Sequence, residues 1–140
     1  MADNPAHKRR EYRELLALMW FFWTGILMAT VGELTLIFMS SEGAYREANG
    51  LSYPTIFILV VVAFLWLLVV LIHRHQFGGG GMPTAIFCWM LAKGSAVLGI
   101  VTFFLEPNWI YTGGIMAGFL VIMGLLQPPN YLPNPDYESG

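Results

Sequence analysis

Two residues in this 140-residue chain carry formal charge deep inside apolar stretches: Glu33 in "TVGELTL" and Lys93 in "LAKGSAVLGIV". A carboxylate and an ammonium group in such surroundings can do three kinds of work. They can pair as a neutral strut between helices, they can relay a proton or ion, or they can meet a group on another subunit, because an intramembrane charge needs a partner or a wet cavity to offset its desolvation. Ala29 and Gly25 lie four and eight residues before Glu33 on the same helical face, which points the carboxylate toward a side suited to packing. Lys93 flanks the face formed by Ala96 and Gly99. If both helices run outward, counting residues from their outer ends leaves a depth offset of roughly 9 Å at 1.5 Å per residue. A direct pair, a water-bridged pair and an intersubunit pair are all compatible with that spacing.

The second polar feature is "HRHQFGGGGMP". Gly78, Gly79, Gly80 and Gly81 offer no side chains for specificity and lose much entropy when ordered, which favours a flexible connector. The sharper alternative is a seat for an anion or lipid headgroup, with charge from Arg74, further contacts from His73 and His75, and glycine N–H donors. The Gly-Lys-Ser/Thr ending of a nucleotide-binding P-loop is absent. His73 and His75 are two residues apart, a spacing that does not place both on one helical face, and zinc would need two further ligands. His7 is the only other histidine and Cys88 the only cysteine, so no metal, heme or disulfide is expected. Ser95 and Cys88 have no general base on a common helical face, and a catalytic role is not expected.

The elements that must position these groups follow from composition. With 56% hydrophobic and 11% charged residues, the chain lies outside the range of ordinary soluble domains. Four stretches approach the ~20 apolar residues that a spanning helix needs: 15–39, 55–72, 84–105 and 109–126. Pro54 and Pro83 stand at helix starts, where a missing N–H is harmless. The "EPN" at 106–108 breaks the chain between the last two stretches. The expected fold is an all-α integral membrane four-helix bundle made of two transmembrane hairpins. Residues 1–14 would form a basic cytoplasmic segment, 15–126 the bundle, and 127–140 a proline-rich cytoplasmic tail, either solvated or a docking strip for a partner. The first apolar run is too long for a secretory h-region and is read as a retained span.

Lys8, Arg9, Arg10, Arg13 and Arg74 would lie on one side of the membrane and only Arg46 on the other. The positive-inside rule then places both termini in the cytoplasm, in a multi-pass protein expected in a bacterial inner membrane. The basic residues are too few and scattered for a nucleic-acid groove. Because lipid is as apolar as leucine, helices associate in it through small residues. The expected packing faces are Gly25, Ala29 and Gly32 in the first span, Ala92, Ser95, Ala96 and Gly99 in the third, and Gly114 and Gly118 in the fourth. These serve either the bundle or an oligomer seam. The second span has almost no small residues and is expected to face mostly lipid. Trp20, Trp23, Tyr53, Trp109 and Tyr111 read as interfacial anchors, Trp66 and Trp89 as deeper packing groups.

The stretch "KGSAVLGIV", from Lys93 to Val101, resembles the ion-carrying helix of rotary-ATPase proteolipids. The resemblance covers nine residues of one helix, in a chain whose two hairpins look like a duplicated proteolipid, and it implies an ion site at Lys93 in a ring-forming oligomer. The sequence departs from that pattern at its ion-binding position, where lysine stands in place of a carboxylate. A small four-span chain with small-residue seams, no soluble domain and no catalytic set leads to the main functional expectation, a non-enzymatic accessory or structural subunit of a larger membrane assembly. Its partners would be the lipid bilayer and other membrane subunits or further copies of itself. The alternatives are proton or ion translocation through Glu33 and Lys93, and a lipid- or quinone-binding anchor.

Overall fold

The computed structural model describes residues 5–41, 51–75 and 80–132. They form four α-helices, α1 (Pro5–Ser40), α2 (Tyr53–His75), α3 (Gly81–Leu105) and α4 (Trp109–Leu125), followed by one 3-10 turn (Pro128–Tyr131). The fold is all-α, and α1, α2 and α3 are long and apolar enough to cross a membrane. α4 is apolar but has only 17 residues; at 1.5 Å per residue it spans about 25 Å, slightly short of a ~30 Å hydrocarbon layer.

Two boundaries differ from the sequence expectation. α1 begins at Pro5, so the basic segment before the apolar run is helical over most of its length. Its sequence permits this: Pro5 takes a first-turn position, and Glu14 accepts from Arg10 at 2.9 Å across one turn, with His7 and Glu11 3.5 Å apart in the same relation. The stretch read as the start of a solvated tail, from residue 127, is in part ordered and buried. Pro128–Tyr131 forms a 3-10 turn, and Tyr131 and Leu132 are buried. Two prolines restrict the chain there and make a short ordered turn less costly in entropy. Residues 133–140 lie outside the described part.

α3 is the central helix and touches each of the other three. Its interior residues, among them Ala85, Cys88, Trp89, Ala92, Ser95, Ala96 and Gly99, form a nearly continuous buried wall. α4 lies against this wall through Ile115, Met116, Phe119, Ile122 and Met123. Gly99 allows the close approach, since a Cβ there would stand 2.9 Å from Ile115 Cγ2. α2 inserts Trp66 between α3 and α4: its Nε1 donates to Ser95 Oγ at 3.0 Å, and the ring occupies the space a side chain at Gly118 would need. Otherwise α2 contributes only Thr55, Ile58, Val62 and Val69 to the buried set.

α4 and the turn after it are tied down by side-chain donors. A helix end leaves carbonyls without intrahelical partners. Trp23 Nε1 donates to Met123 O at 3.0 Å, Asn130 Nδ2 to Leu125 O at 2.8 Å and Trp89 Nε1 to Leu126 O at 2.8 Å. At the other end of α4, Asn108 Oδ1 accepts from Ile110 N and caps the helix. α3 starts at Gly81, whose φ of +62° is a left-handed conformation open to glycine at little steric cost.

Candidate functional site

α1 and α3 are both helical through their charged residues, and the two side chains meet. Lys93 Nζ lies 2.5 Å from Glu33 Oε2 and donates to Thr30 Oγ1 at 3.1 Å. The expected depth offset assumes level helix ends; with the pair formed, Glu33 stands seven residues before Ser40 and Lys93 twelve before Leu105, so the two helices do not end level. The ammonium settles between Thr30 and Glu33, which sit one turn apart on the same face. Thr30 is fully enclosed and its hydroxyl turns back to Ile26 O at 2.9 Å. The pair itself is only partly covered: 18% of the Lys93 side chain and 41% of the Glu33 side chain remain accessible. Thr30 was not singled out from the sequence, although its position three residues before Glu33 was a signal that could have found it.

The small residues divide. Ala92, Ser95, Ala96 and Gly99 are buried, Ser95 against Trp66 of α2 and Gly99 against Ile115 of α4, and Gly118 lies under Trp66. Gly25, Ala29 and Gly32 do not pack inside the chain: all three are exposed, and Cβ atoms at the two glycines would meet nothing within 4 Å. Gly114 is likewise exposed and open. The physical reason is helical phase. The line of α1 that faces α3 and α4 runs through Met19, Trp23, Ile26, Thr30 and Ile37, alternating steps of four and three before the last. Gly25, Ala29 and Gly32 are displaced from it by about 100°. Glu33 stands on the border between the two lines. In α4, the inward line through Thr112, Ile115, Phe119 and Ile122 leaves Gly114 outside.

The histidine and glycine residues make no comparable site among the described residues. His73 Nδ1 and Tyr131 Oη are 3.2 Å apart, and Tyr131 shares its buried cluster with Cys88. This cluster of α2, α3 and the C-terminal turn is enclosed by Trp89, whose ring packs edge-on to Tyr131. Burial holds the Tyr131 hydroxyl above the ordinary phenol range, so it stays protonated as a donor. Arg74 and His75 are exposed at the end of α2. Gly80 and Gly81 lead into α3, while Gly78 and Gly79 lie outside the described residues. No group of three or more potential metal ligands occurs among the described residues.

Two further features belong to the opposite end of the bundle. An open apolar groove of about 340 Å³ separates α1 from α4, lined by Leu34, Phe38, Trp109, Thr112, Gly113 and Met116. Its hydroxyl-bearing residues are already engaged: Thr112 donates to Gly99 O and Thr35 to Val31 O. Beyond it, Glu106 Oε1 accepts from Ser52 N at 2.8 Å and ties the start of α2 to the α3–α4 connection. Hydrogen bonds from Ser52 lead the causes that hold the Glu106 carboxyl below the usual carboxylate range.

The geometry thus defines an all-α bundle with three helices suited to crossing a membrane and one partly covered ion pair at the junction of α1 and α3. Comparisons with family models, curated proteins and solved structures give no match. The proteolipid resemblance therefore rests on the Lys93–Val101 stretch alone.

Proposed function

We propose that this chain is a non-enzymatic integral membrane protein that acts as a structural or accessory subunit, through helix–helix contacts inside the bilayer. The observation that carries this reading is the Glu33–Lys93 pair: it joins α1 to α3, yet 41% of the Glu33 side chain faces outward. An ion pair open to hydrocarbon is costly, and a protein surface laid over it removes that cost. The pair fits a strut better than a relay, because its hydrogen bonds stop at Thr30, which returns to its own helix. The two buried nucleophile types likewise sit in structural settings, with Cys88 enclosed in the core and Ser95 hydrogen-bonded to Trp66 and to Ala92 O.

In this reading the chain is multi-pass, with α4 as a fourth, short crossing. Both termini lie in the cytoplasm of a bacterial inner membrane, supported by the basic residues at the start of α1 and the end of α2. Purification in mild detergent followed by native mass spectrometry tests the subunit role. The expected result is a species larger than the 15.7 kDa chain; a stable, solitary monomer overturns it.

A further inference from the structure

We propose that the face carrying Glu33 and Lys93 is a homodimer interface. A two-fold axis along the membrane normal would set each chain's Glu33 against the other chain's Lys93, closing a ring of four alternating charges. The inference rests on the subunit reading above and names the partner: a second copy of this chain.

Hydrogen-bond accounting identifies that partner. An ammonium group has three N–H donors and an ionised carboxylate has two acceptor oxygens. Lys93 uses two donors, on Glu33 Oε2 and Thr30 Oγ1. Glu33 Oε1 accepts nothing among the described residues. Each chain therefore offers one spare donor and one spare acceptor, side by side. Lys93 is the thirteenth residue of the 25-residue α3, so both groups sit near the middle of the helix, away from lipid headgroups. A different helix would have to bring an acceptor and a donor together in the right order at this depth. A second copy related by a two-fold axis supplies both by symmetry, since an isologous interface presents the same patch twice.

The surrounding surface permits the approach. Gly25, Gly32 and Gly94 would each accept a Cβ with nothing within 4 Å, and Ala29 is exposed one turn from Glu33. Small residues let membrane helices come close enough for side chains of this length to meet across a seam. Met90 and Val97, 61% and 43% exposed, flank Lys93 on α3 and would close over the ring. This also gives the Gly25–Ala29–Gly32 line a use that the single chain does not.

The test is disulfide trapping of the full chain in membrane vesicles, in a Cys88→Ser background. Ala29→Cys should give at least ten times more dimer-sized product, at twice the 15.7 kDa chain mass, than Val60→Cys on the outward side of α2, where Val60 is 61% exposed. Adding Glu33→Gln should reduce trapping about tenfold. The charge exchange Glu33→Lys with Lys93→Glu should restore it, because signs still alternate around the ring; this double variant also guards against a general folding defect. Equal trapping at positions 29 and 60, or trapping indifferent to Glu33→Gln, overturns the proposal. A product joining residue 29 to a different polypeptide overturns the second-copy assignment but leaves the subunit reading standing. Monomer alone, in both trapping and native mass spectrometry, overturns both.

Discussion

α4 and α1 are held to the same central helix by opposite means. Between α3 and α4, with Trp66 of α2 inserted, contact is close packing: Gly99 admits Ile115, and Gly118 admits the Trp66 ring. α1 is held at a few points instead. Trp23 donates to Met123 O, Met19 enters the core, and the Lys93 ammonium joins Glu33 and Thr30. Gly99 and Gly118 of the first region are consumed inside the chain, whereas Gly25 and Gly32 of α1 remain on the surface. Small residues stand in both, but only in the first do they meet a neighbour within the chain.

The largest effect should come from breaking the packed region at its tightest point. Gly118→Ala puts a methyl group where Trp66 lies, and the rigid indole can yield only by leaving Ser95. Overpacking combined with a lost buried hydrogen bond should cost about 3 kcal/mol. Gly114→Ala, one turn earlier with open space at its Cβ, should change stability by less than about 0.5 kcal/mol. Reversible unfolding in mixed micelles reads both. Similar losses at the two positions would mean that spacing, and not the observed contact, governs this helix.

Next in size are the point anchors of α1. Lys93→Met leaves Glu33 with neither its counterion nor a donor. The accessible 41% of Glu33 faces hydrocarbon in this reading and gains no water screening, so a loss of about 3 kcal/mol, the lower end for a broken buried pair, is expected. Lys93→Met combined with Glu33→Leu should recover most of it in unfolding of the monomer, because no charge is stranded. Recovery of less than half would show that the pair holds α1 by more than charge neutralisation. Trp23→Phe should cost about 1 kcal/mol, leaving Met123 O without the indole N–H. It should loosen α1 alone, so hydrogen exchange should rise in α1 and not in α3.

The same contrast explains what was legible in the sequence. Long apolar runs add their signal over ~20 residues, so the positions of all four helices could be read to within a few residues, apart from the early start of α1. The inward residues of α3 were also readable, because a central helix is enclosed on most sides and almost any small residue on it meets a neighbour. α1 touches its neighbours along one line, and choosing that line requires its rotation. The glycine-alanine pattern points about 100° away from the rotation found. The contact between Glu33 and Lys93 depended in addition on the slide of α1 along α3, which no local pattern encodes. Tyr131 was missed for another reason: a four-residue turn has no periodicity, and its place is fixed by His73, Cys88 and Trp89, far away in sequence.

The smallest expected effect sharpens the comparison at the outer end, where α2 is joined to the α3–α4 connection by a single carboxylate. Glu106 accepts from Ser52 N, and hydrogen bonds from Ser52 and Thr55 hold its carboxyl below the usual range, with desolvation opposing them. A carboxyl whose pKa is lower in the folded chain than in the unfolded one adds stability above the unfolded value, and that stability is lost as pH falls through the folded value. The wild-type melting temperature should therefore fall on acidification below the ordinary carboxylate range. Glu106→Gln keeps the shape of the side chain but removes the titration. Its melting temperature should be slightly lower at neutral pH and should converge with that of the wild type in acid. Parallel pH curves for the two proteins would assign the acid dependence to other carboxylates. The fall should remain small because the link is a single hydrogen bond from Ser52 N to Glu106 Oε1, while the enclosed Oε2 accepts no hydrogen bond among the described residues.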